Sequence, residues 1–284
     1  MDWMEQAKAC LAGGYDLHMH PSPSRAPRCV NDFEALRQAD DAGMAGILLK
    51  NHDEPTASRA ALCMLAVAPK ATDCYGGVVL NYPEGGINAC AVEAAAQMGA
   101  KIVWFPTCDA KHDLEFTGRK HPLDRPGLSV LNDEGKPLPA VYEVFDVAKQ
   151  YGMAVGTGHL SLQEIDCLCA AGIRQHARML FTHPEWRSVR APMELQMKLE
   201  QMGVLIEKAW VPVSLGEVAP EEMVRTIRSL SPQNVYLVTD HGADYLKKPV
   251  DAMLEYVGTL LQNGFTRQEI RTLLHDNPER ALGI

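Results

Sequence analysis

The chain has 284 residues, of which 46% are hydrophobic and 22% charged, and its formal net charge is −9. These values are typical of a globular enzyme, and the absence of a block of like charges argues against a nucleic-acid or anionic-membrane partner. No apolar run approaches the roughly 18 residues that a membrane span needs. Eight cysteines are scattered without zinc-ribbon spacing and without a signal-peptide pattern before them, so we expect free thiols and a cytoplasmic protein.

Eight short apolar runs alternate with amphipathic stretches along the chain. Several runs are rich in Val, Ile and Leu with little alternation, as expected of strands that are buried on both faces of a parallel sheet. We predict strands at residues 15–18, 46–50, 76–81, 101–106, 154–157, 179–182, 204–207 and 234–239.

Helical patterns fill the intervals, and several of them have readable ends. We predict helices at 33–42 and 89–98, each of which is followed by a glycine. Ser161 with Glu164 forms a capping-box pattern, and the helix that starts there is predicted to end at Gly172.

Eight repeats of strand and helix over this length predict an α/β fold, a (β/α)8 TIM-like barrel in a single domain spanning 1–284. The alternative is a doubly wound open sheet, which usually carries a glycine-rich phosphate loop after its first strand, whereas this chain has HMHPSPS. The polar segment 107–138 follows the fourth strand. In a barrel this position places it at the rim that carries active sites, as a lid-like insertion.

Histidines concentrate where the predicted strands end. His18 and His20 are two residues apart, so both point to the same side of the first strand, and His159 and His183 follow the fifth and sixth strands. Asp240 adds a carboxylate after the last strand. This mixture of nitrogen and oxygen ligands predicts a divalent-metal site of one or two ions, with zinc favoured over manganese or iron. Asp240 would also take the proton from a metal-activated water.

Lys50 ends an otherwise apolar run and leaves three interpretations open. It could be a carboxylated lysine that bridges two metals, a lysine that pairs with a carboxylate or an anionic substrate, or part of a salt bridge at the barrel rim. Glu207 and Lys208 are neighbours at the end of the seventh strand, so one of the two should face the pocket.

Further polar residues follow the strands or lie in the insertion, which is basic and would suit a substrate with a carboxylate or phosphate. For any single residue of the insertion a solvated loop is the better explanation, and for Asn81 a turn before Tyr82 and Pro83 is an equally good one. The candidate substrate-binding residues are His52, Asn81, His112, Arg119, His121, Glu207, Lys208 and His241.

Four short segments, YDLHMH, TGHLS, FTHPEW and VTDHG, resemble the metal motifs of the amidohydrolase superfamily in order and position, and DNPERALGI resembles its C-terminal ending. LLKNHDEPT, LNYPEGGINACAVEAA and GAKIVWFPT resemble a poorly characterised amidohydrolase-related family. The resemblance covers nearly the whole chain and implies a distorted barrel with one or two metals. His18, His20, His159 and His183 match the ligands, and Asp240 matches the ligand that is also general base.

The fourth strand departs from the superfamily pattern. It ends in FPTCD, without the bridging lysine or glutamate of many binuclear members, so Lys50 on the second strand could substitute. A mononuclear site would instead leave His183 free to act as an acid or base.

The main hypothesis is metal-dependent hydrolysis of an amide, lactone or related bond in a small anionic molecule. The alternatives are a mononuclear decarboxylase or lyase, a phosphoesterase similar to histidinol phosphatase, and a binding protein without catalysis. We expect a small-molecule substrate and neither nucleic acid nor membrane as partner, and a homo-oligomer is left open.

Overall fold

A computed structural model describes residues 3–284. Its eight strands pair in parallel, each with the next along the chain, and helices connect them. The predicted α/β barrel is therefore confirmed, and the doubly wound sheet is wrong. The strands are β1 (Tyr15–Met19), β2 (Gly46–Leu49), β3 (Asp73–Val79), β4 (Ala100–Trp104), β5 (Ala154–Gly156), β6 (Arg178–Phe181), β7 (Leu205–Ala209) and β8 (Val235–Val238).

The helices pack around the outside of the strands and bury their apolar faces against them. In the described chain they are α1 (Trp3–Leu11), α2 (Asp32–Asp41), α3 (Ala57–Val67), α4 (Ala89–Gln97), α5 (Lys111–Thr117), α6 (Pro139–Gln150), α7 (Leu162–Arg174), α8 (Met193–Gln201), α9 (Val211–Ser214), α10 (Pro220–Arg228), α11 (Pro249–Gln262), α12 (Arg267–Arg271) and α13 (Asn277–Leu282). A second apolar cluster, which includes Leu17, Trp104 and Tyr236, fills the barrel interior.

Backbone hydrogen bonds and one buried carboxylate close the barrel between β8 and β1. The amide of Asp240 donates to the His18 carbonyl over 2.8 Å, and the His20 amide donates to the His241 carbonyl over 2.7 Å. Asp16 on β1 accepts hydrogen bonds from the amide and the hydroxyl of Thr239. Burial raises the pKa of Asp16 to about 7, against the lowering effect of the Thr239 hydrogen bonds. The closure holds the residues that follow β8 directly beside those that end β1.

Helix α7 begins as predicted but ends later. Its capping box is present, because Glu164 N donates to Ser161 Oγ and the Glu164 carboxylate accepts from Ser161 N. The predicted end at Gly172 is wrong, because the helix continues to Arg174. A Cβ atom at Gly172 would lie 2.2 Å from Met179 Sδ, so this glycine allows close packing of the helix on β6.

Residues 107–138 connect β4 to α6 and contain α5. The Lys111 amide donates to the Leu128 carbonyl over 2.8 Å, which ties the start of α5 to the returning chain. Ser129 Oγ donates to Glu164 Oε1 at the start of α7. The insertion is thus attached to the barrel by specific hydrogen bonds.

Two expectations that do not concern the site are also settled. All eight cysteines are free, as predicted. Between residues 3 and 284, no helix has the length and apolar character needed to cross a membrane.

Candidate metal centre

Three of the predicted ligands converge where β1 ends and β8 has just ended. His18 Nε2 lies 3.0 Å from Asp240 Oδ1, His20 Nε2 lies 3.1 Å from the same oxygen, and the two Nε2 atoms are 3.3 Å apart. We call His18, His20 and Asp240 the triad. The ligand atoms of the triad all lie within 4.8 Å of one another, and both imidazoles are buried.

Glu207 keeps a proton on one ring nitrogen of His18. Its Oε1 lies 3.0 Å from His18 Nδ1, and a carboxylate can only accept, so Nδ1 carries a proton. His18 Nε2 then faces both Asp240 Oδ1 and Lys50 Nζ. Without a metal, a second proton on Nε2 satisfies the contact with Asp240, and a divalent cation between the two atoms would replace that proton.

The spacing of the triad also suits a cation. In a tetrahedral zinc site, ligand atoms about 2.0–2.1 Å from the ion lie about 3.3–3.4 Å from one another. The separations of 3.0, 3.1 and 3.3 Å in the triad are close to this value. The donor chemistry and the spacing therefore fit a divalent metal.

The remaining predicted ligands lie beside the triad. The ring centroids of His183 and His18 are 5.8 Å apart, and those of His159 and His183 are 4.9 Å apart. His183 Nδ1 is buried and has no hydrogen-bond partner within the described residues. His159 and His183 stay predicted ligands at the edge of the centre. His52 stacks on His20 with a centroid distance of 4.7 Å and completes the group of imidazoles.

Burial determines the charge of these groups. It lowers the pKa of His20 to about 3, and it also lowers the pKa values of His52, His159 and His183. The imidazoles of these four residues are therefore neutral, which is the form that binds metals. Burial also acts on His18, but the charges of Asp240 and Glu207 outweigh it and raise the pKa of that imidazole. Burial alone would raise the pKa of Asp240, but the charges and hydrogen bonds of the triad histidines outweigh it and hold that pKa well below the usual range. Asp240 is therefore a carboxylate.

Lys50 reaches the triad. Its Nζ lies 2.9 Å from His18 Nε2 and 4.8 Å from the centroid of the Trp104 ring. No carboxylate oxygen of residues 3–284 lies within 4.0 Å of it, so a rim salt bridge and a pairing with a protein carboxylate are both wrong for this chain. Burial lowers the pKa of Lys50, while the charges of Asp240 and Glu207 oppose that shift.

Glu207 and Lys208 point to opposite faces of β7, as predicted. Besides His18, Glu207 accepts from the His183 amide over 3.1 Å and from the Tyr236 hydroxyl over 2.8 Å, so it orients ligands. Lys208 lies behind the strand, where its Nζ donates to Gln196 Oε1 over 2.7 Å and pairs with Glu185. The substrate contact predicted for Lys208 is corrected to a buried structural ion pair.

Asn81 and His241 use their hydrogen-bonding groups within the protein. The Asn81 amide donates to the His52 carbonyl and to Thr107 Oγ1, and its oxygen accepts from the Thr107 amide. His241 places Nδ1 against the Lys247 carbonyl and Nε2 against Ser214 Oγ. These side chains join the loops at the rim, and the structure does not direct them at the triad.

Asp113 on α5 is a site residue that the sequence analysis missed. Its Oδ1 lies 3.2 Å from His159 Nδ1 and accepts from Ser188 Oγ over 3.0 Å, and its Oδ2 accepts from Arg119 over 2.8 Å. Arg119 therefore neutralises Asp113. Only the polar character of the insertion could have drawn attention to this carboxylate.

The other two predicted residues of the insertion lie farther out. His112 Nε2 contacts the Ser188 carbonyl, and the His121 ring packs on Tyr82 with a centroid distance of 4.8 Å. His121 lines a cavity of about 680 Å³ on the insertion. The structure does not bring either imidazole to the triad.

The barrel of eight parallel strands is similar in fold to several solved structures. Three solved structures illustrate the similarity. An amidohydrolase from Pseudomonas aeruginosa is 12% identical with a TM-score of 0.65 over 98% of each chain. The probable dipeptidase PvdM from Pseudomonas aeruginosa is 11% identical, with a TM-score of 0.66 over 99% of this chain and 98% of that one.

The third, YJJV, a TatD homolog from Escherichia coli K12, is 13% identical, with a TM-score of 0.60 over 96% of this chain and 99% of that one. These similarities confirm the predicted amidohydrolase-type barrel as a fold. The model of a family of unknown function, DUF6282, matches residues 13–207, and the chain belongs to that family. A comparison with curated proteins finds no match.

Proposed function

We propose that this protein is a metal-dependent hydrolase that cleaves an amide, lactone or related bond in a small anionic molecule. The observation that carries the proposal is the triad, in which His18 Nε2, His20 Nε2 and Asp240 Oδ1 lie 3.0, 3.1 and 3.3 Å from one another. The similar fold of an amidohydrolase and a probable dipeptidase supports it.

The triad would hold one divalent cation, with zinc favoured because imidazole and carboxylate suit it, and manganese or iron as alternatives. When bound, the cation would supply electrophilic activation of a water and of the bond to be cleaved. A second ion would need His159 and His183 as ligands, together with a carboxylated Lys50 whose carbamate would supply the oxygen donors that the amine lacks. Free thiols agree with a cytoplasmic location for the enzyme.

The side chains around the triad have distinct parts in the reaction. Both histidine contacts of Asp240 use Oδ1, and Oδ2 has no hydrogen-bond partner within the described chain. Oδ2 can therefore take the proton of the attacking water as general base. His183, whose buried Nδ1 is unpartnered, can pass a proton to the leaving group. His52, which stacks on His20, would contact the substrate.

A lyase reaction is a second candidate, and Lys50 favours it. Its amine contacts His18 and has no protein carboxylate oxygen of residues 3–284 within 4.0 Å, so it could pair with the carboxylate of a substrate that loses carbon dioxide. Hydrolysis incorporates oxygen from water into the product, whereas decarboxylation does not.

The test combines metal content with an oxygen label. Protein loaded with zinc, manganese or iron is incubated in ¹⁸O-water with N-acyl amino acids, lactones and phosphoesters. We expect about one ion per chain from the triad of ligands and the label in the product. Carbon dioxide release without label would favour the lyase, and phosphate release would favour a phosphoesterase. A chain that retains no metal would contradict the proposal.

Asp240→Asn should lower turnover about 10²–10⁴-fold, the usual contribution of a general base, with an unchanged circular dichroism spectrum. The matched control is Asp244→Asn, which removes an exposed carboxylate four residues away and should leave turnover unchanged. Full activity in Asp240→Asn would refute its role as base.

A further inference from the structure

The loop between β1 and α2 crosses the mouth of the barrel next to the triad. The Cys29 amide donates to the Gly242 carbonyl over 2.8 Å, and Arg28 forms a β-bridge with Ala243. A Cβ atom at Gly242 would lie 2.0 Å from the His20 carbonyl oxygen, so the two loops are in direct contact. The backbone of Arg28 is thus fixed against the chain that follows Asp240.

The guanidinium of Arg28 is partly buried but has no carboxylate partner. Its only hydrogen bond is from Nε to Ser24 Oγ over 3.2 Å, and neither Nη group has a partner among residues 3–284. Arg59, another partly buried arginine, pairs with Asp32 and Glu54 at 2.7 Å each. Burying a charge without a partner is unfavourable, so an unpaired guanidinium beside a metal centre calls for a ligand.

The residues whose charges act on Arg28 belong to the loops at the mouth of the barrel. Burial lowers the pKa of Arg28, and the largest opposing influence comes from Asp240, followed by Cys108, Tyr245 and Asp53. These residues follow β8, β4 and β2, whose carboxyl ends surround the mouth. Arg28 therefore lies among the loops at the mouth of the barrel, close enough to Asp240 for the two charges to interact.

We propose that Arg28 binds the carboxylate or phosphate group of the substrate while the triad holds the bond to be cleaved. The inference rests on the hydrolase function proposed above. A guanidinium presents a planar pair of donors that matches both oxyanions, which a lysine cannot do. The β1 loop then selects anionic substrates, because Arg119 in the insertion is already paired with Asp113.

The experiment measures anion binding to the metal-loaded protein by calorimetry, with inorganic phosphate and succinate as probes. Arg28→Gln should weaken the better probe about 10-fold or more, because a charged hydrogen-bond pair is lost. Arg28→Lys keeps the charge but not the planar pair of donors, so its affinity for the probe should lie between those of the wild type and Arg28→Gln. The matched control is Arg25→Gln on the same loop, whose exposed guanidinium is paired with Asp53; it should change affinity by less than about two-fold.

The metal content of every variant is measured alongside, so that the two proposals fail separately. Unchanged probe affinity in Arg28→Gln, or no binding of either probe to the wild type, would overturn the role of Arg28 while leaving the hydrolase intact. A wild-type protein that retains no metal would contradict the hydrolase function. If such a protein still bound a probe, and Arg28→Gln weakened that binding, the anion site would stand on its own. The ratio of the two probe affinities distinguishes a phosphate from a carboxylate.

Discussion

The two halves of the metal centre are built differently. On the β1–β8 side, His18 lies within a strand and His20 directly after it, and backbone hydrogen bonds join both residues to the chain that follows β8. On the β5–β6 side, His159 lies three residues beyond its strand and His183 two residues beyond. Strand pairing therefore positions the first pair, and loops position the second.

The supports of the second pair come from distant parts of the chain. His159 depends on Asp113 in the insertion, and the His183 amide depends on Glu207 on β7. A left-handed backbone does not separate the two halves, because His183 has a φ of 29° and Asp240 on the other side has a φ of 54°. We infer that the β1–β8 half forms whenever the barrel folds, while the β5–β6 half responds to the loops.

The largest expected effect tests this division directly. His18→Ala should lower zinc affinity about 10³-fold or more, because one ligand contributes several kcal/mol to a site whose full binding free energy is about 10–16 kcal/mol. His159→Ala should lower it about 10-fold, the scale of a group at the edge of the centre. Competition with a chromophoric chelator measures both affinities.

The control for these variants is His176→Asn, which removes an exposed imidazole far from the centre and tolerates the left-handed backbone at that position. It should bind zinc as the wild type does. Equal losses in His18→Ala and His159→Ala would break the comparison and make His159 a full ligand.

A second prediction concerns the loop that carries His183. Lys208→Met should lower the free energy of unfolding by about 3 kcal/mol, because it leaves Glu185 buried without its partner. Glu185 follows His183 closely, and Lys208 and Gln196 are the contacts that hold its carboxylate. Urea denaturation of the wild type and the variant measures the difference.

The matched control breaks an exposed ion pair instead. Lys198 pairs with Asp166 over 2.7 Å on the protein surface, and Lys198→Met should cost less than about 1 kcal/mol. If Lys208→Met were no more destabilising than this control, the buried pair would contribute nothing to the β6 loop.

Much of the fold could be predicted from the sequence because its signals are local. The eight apolar runs and the capping box at Ser161 depend on neighbours within a few residues. The spacing of His18 and His20 alone places both imidazoles on one side of a strand. Gly172 shows where local signals fail. A glycine in a helical pattern suggests the end of the helix, but this glycine is required by the Met179 side chain on the next strand, which a Cβ atom would meet.

Residues of the site that depend on distant contacts could not be predicted in this way. The feature that identifies Arg28 is that its Nη groups have no partner among the described residues. A sequence pattern cannot show this, because it depends on which side chains lie nearby in the fold. The sequence predicted that Lys208 and Glu207 lie on opposite faces of β7. It could not predict which of them faces the site, because that depends on the position of Glu185, which pairs with Lys208 behind the strand. Asp113 lies in a helix whose N-cap is Ala110, a residue without a capping side chain, so the helix that carries it had no start signal.

Asp113→Asn gives the smallest expected effect and the sharpest test of the second half. The amide keeps the size of the side chain but removes the charge that orients His159 Nδ1–H, so zinc affinity should fall by no more than the loss of about 10-fold expected for His159→Ala. Glu115→Gln, an exposed carboxylate on the same helix, should change nothing. If His159 is held only through Asp113, the double variant Asp113→Asn with His159→Ala should bind zinc no more weakly than His159→Ala alone. Additive losses would mean that Asp113 acts on the centre through another contact, and the insertion would then support the β1–β8 half as well.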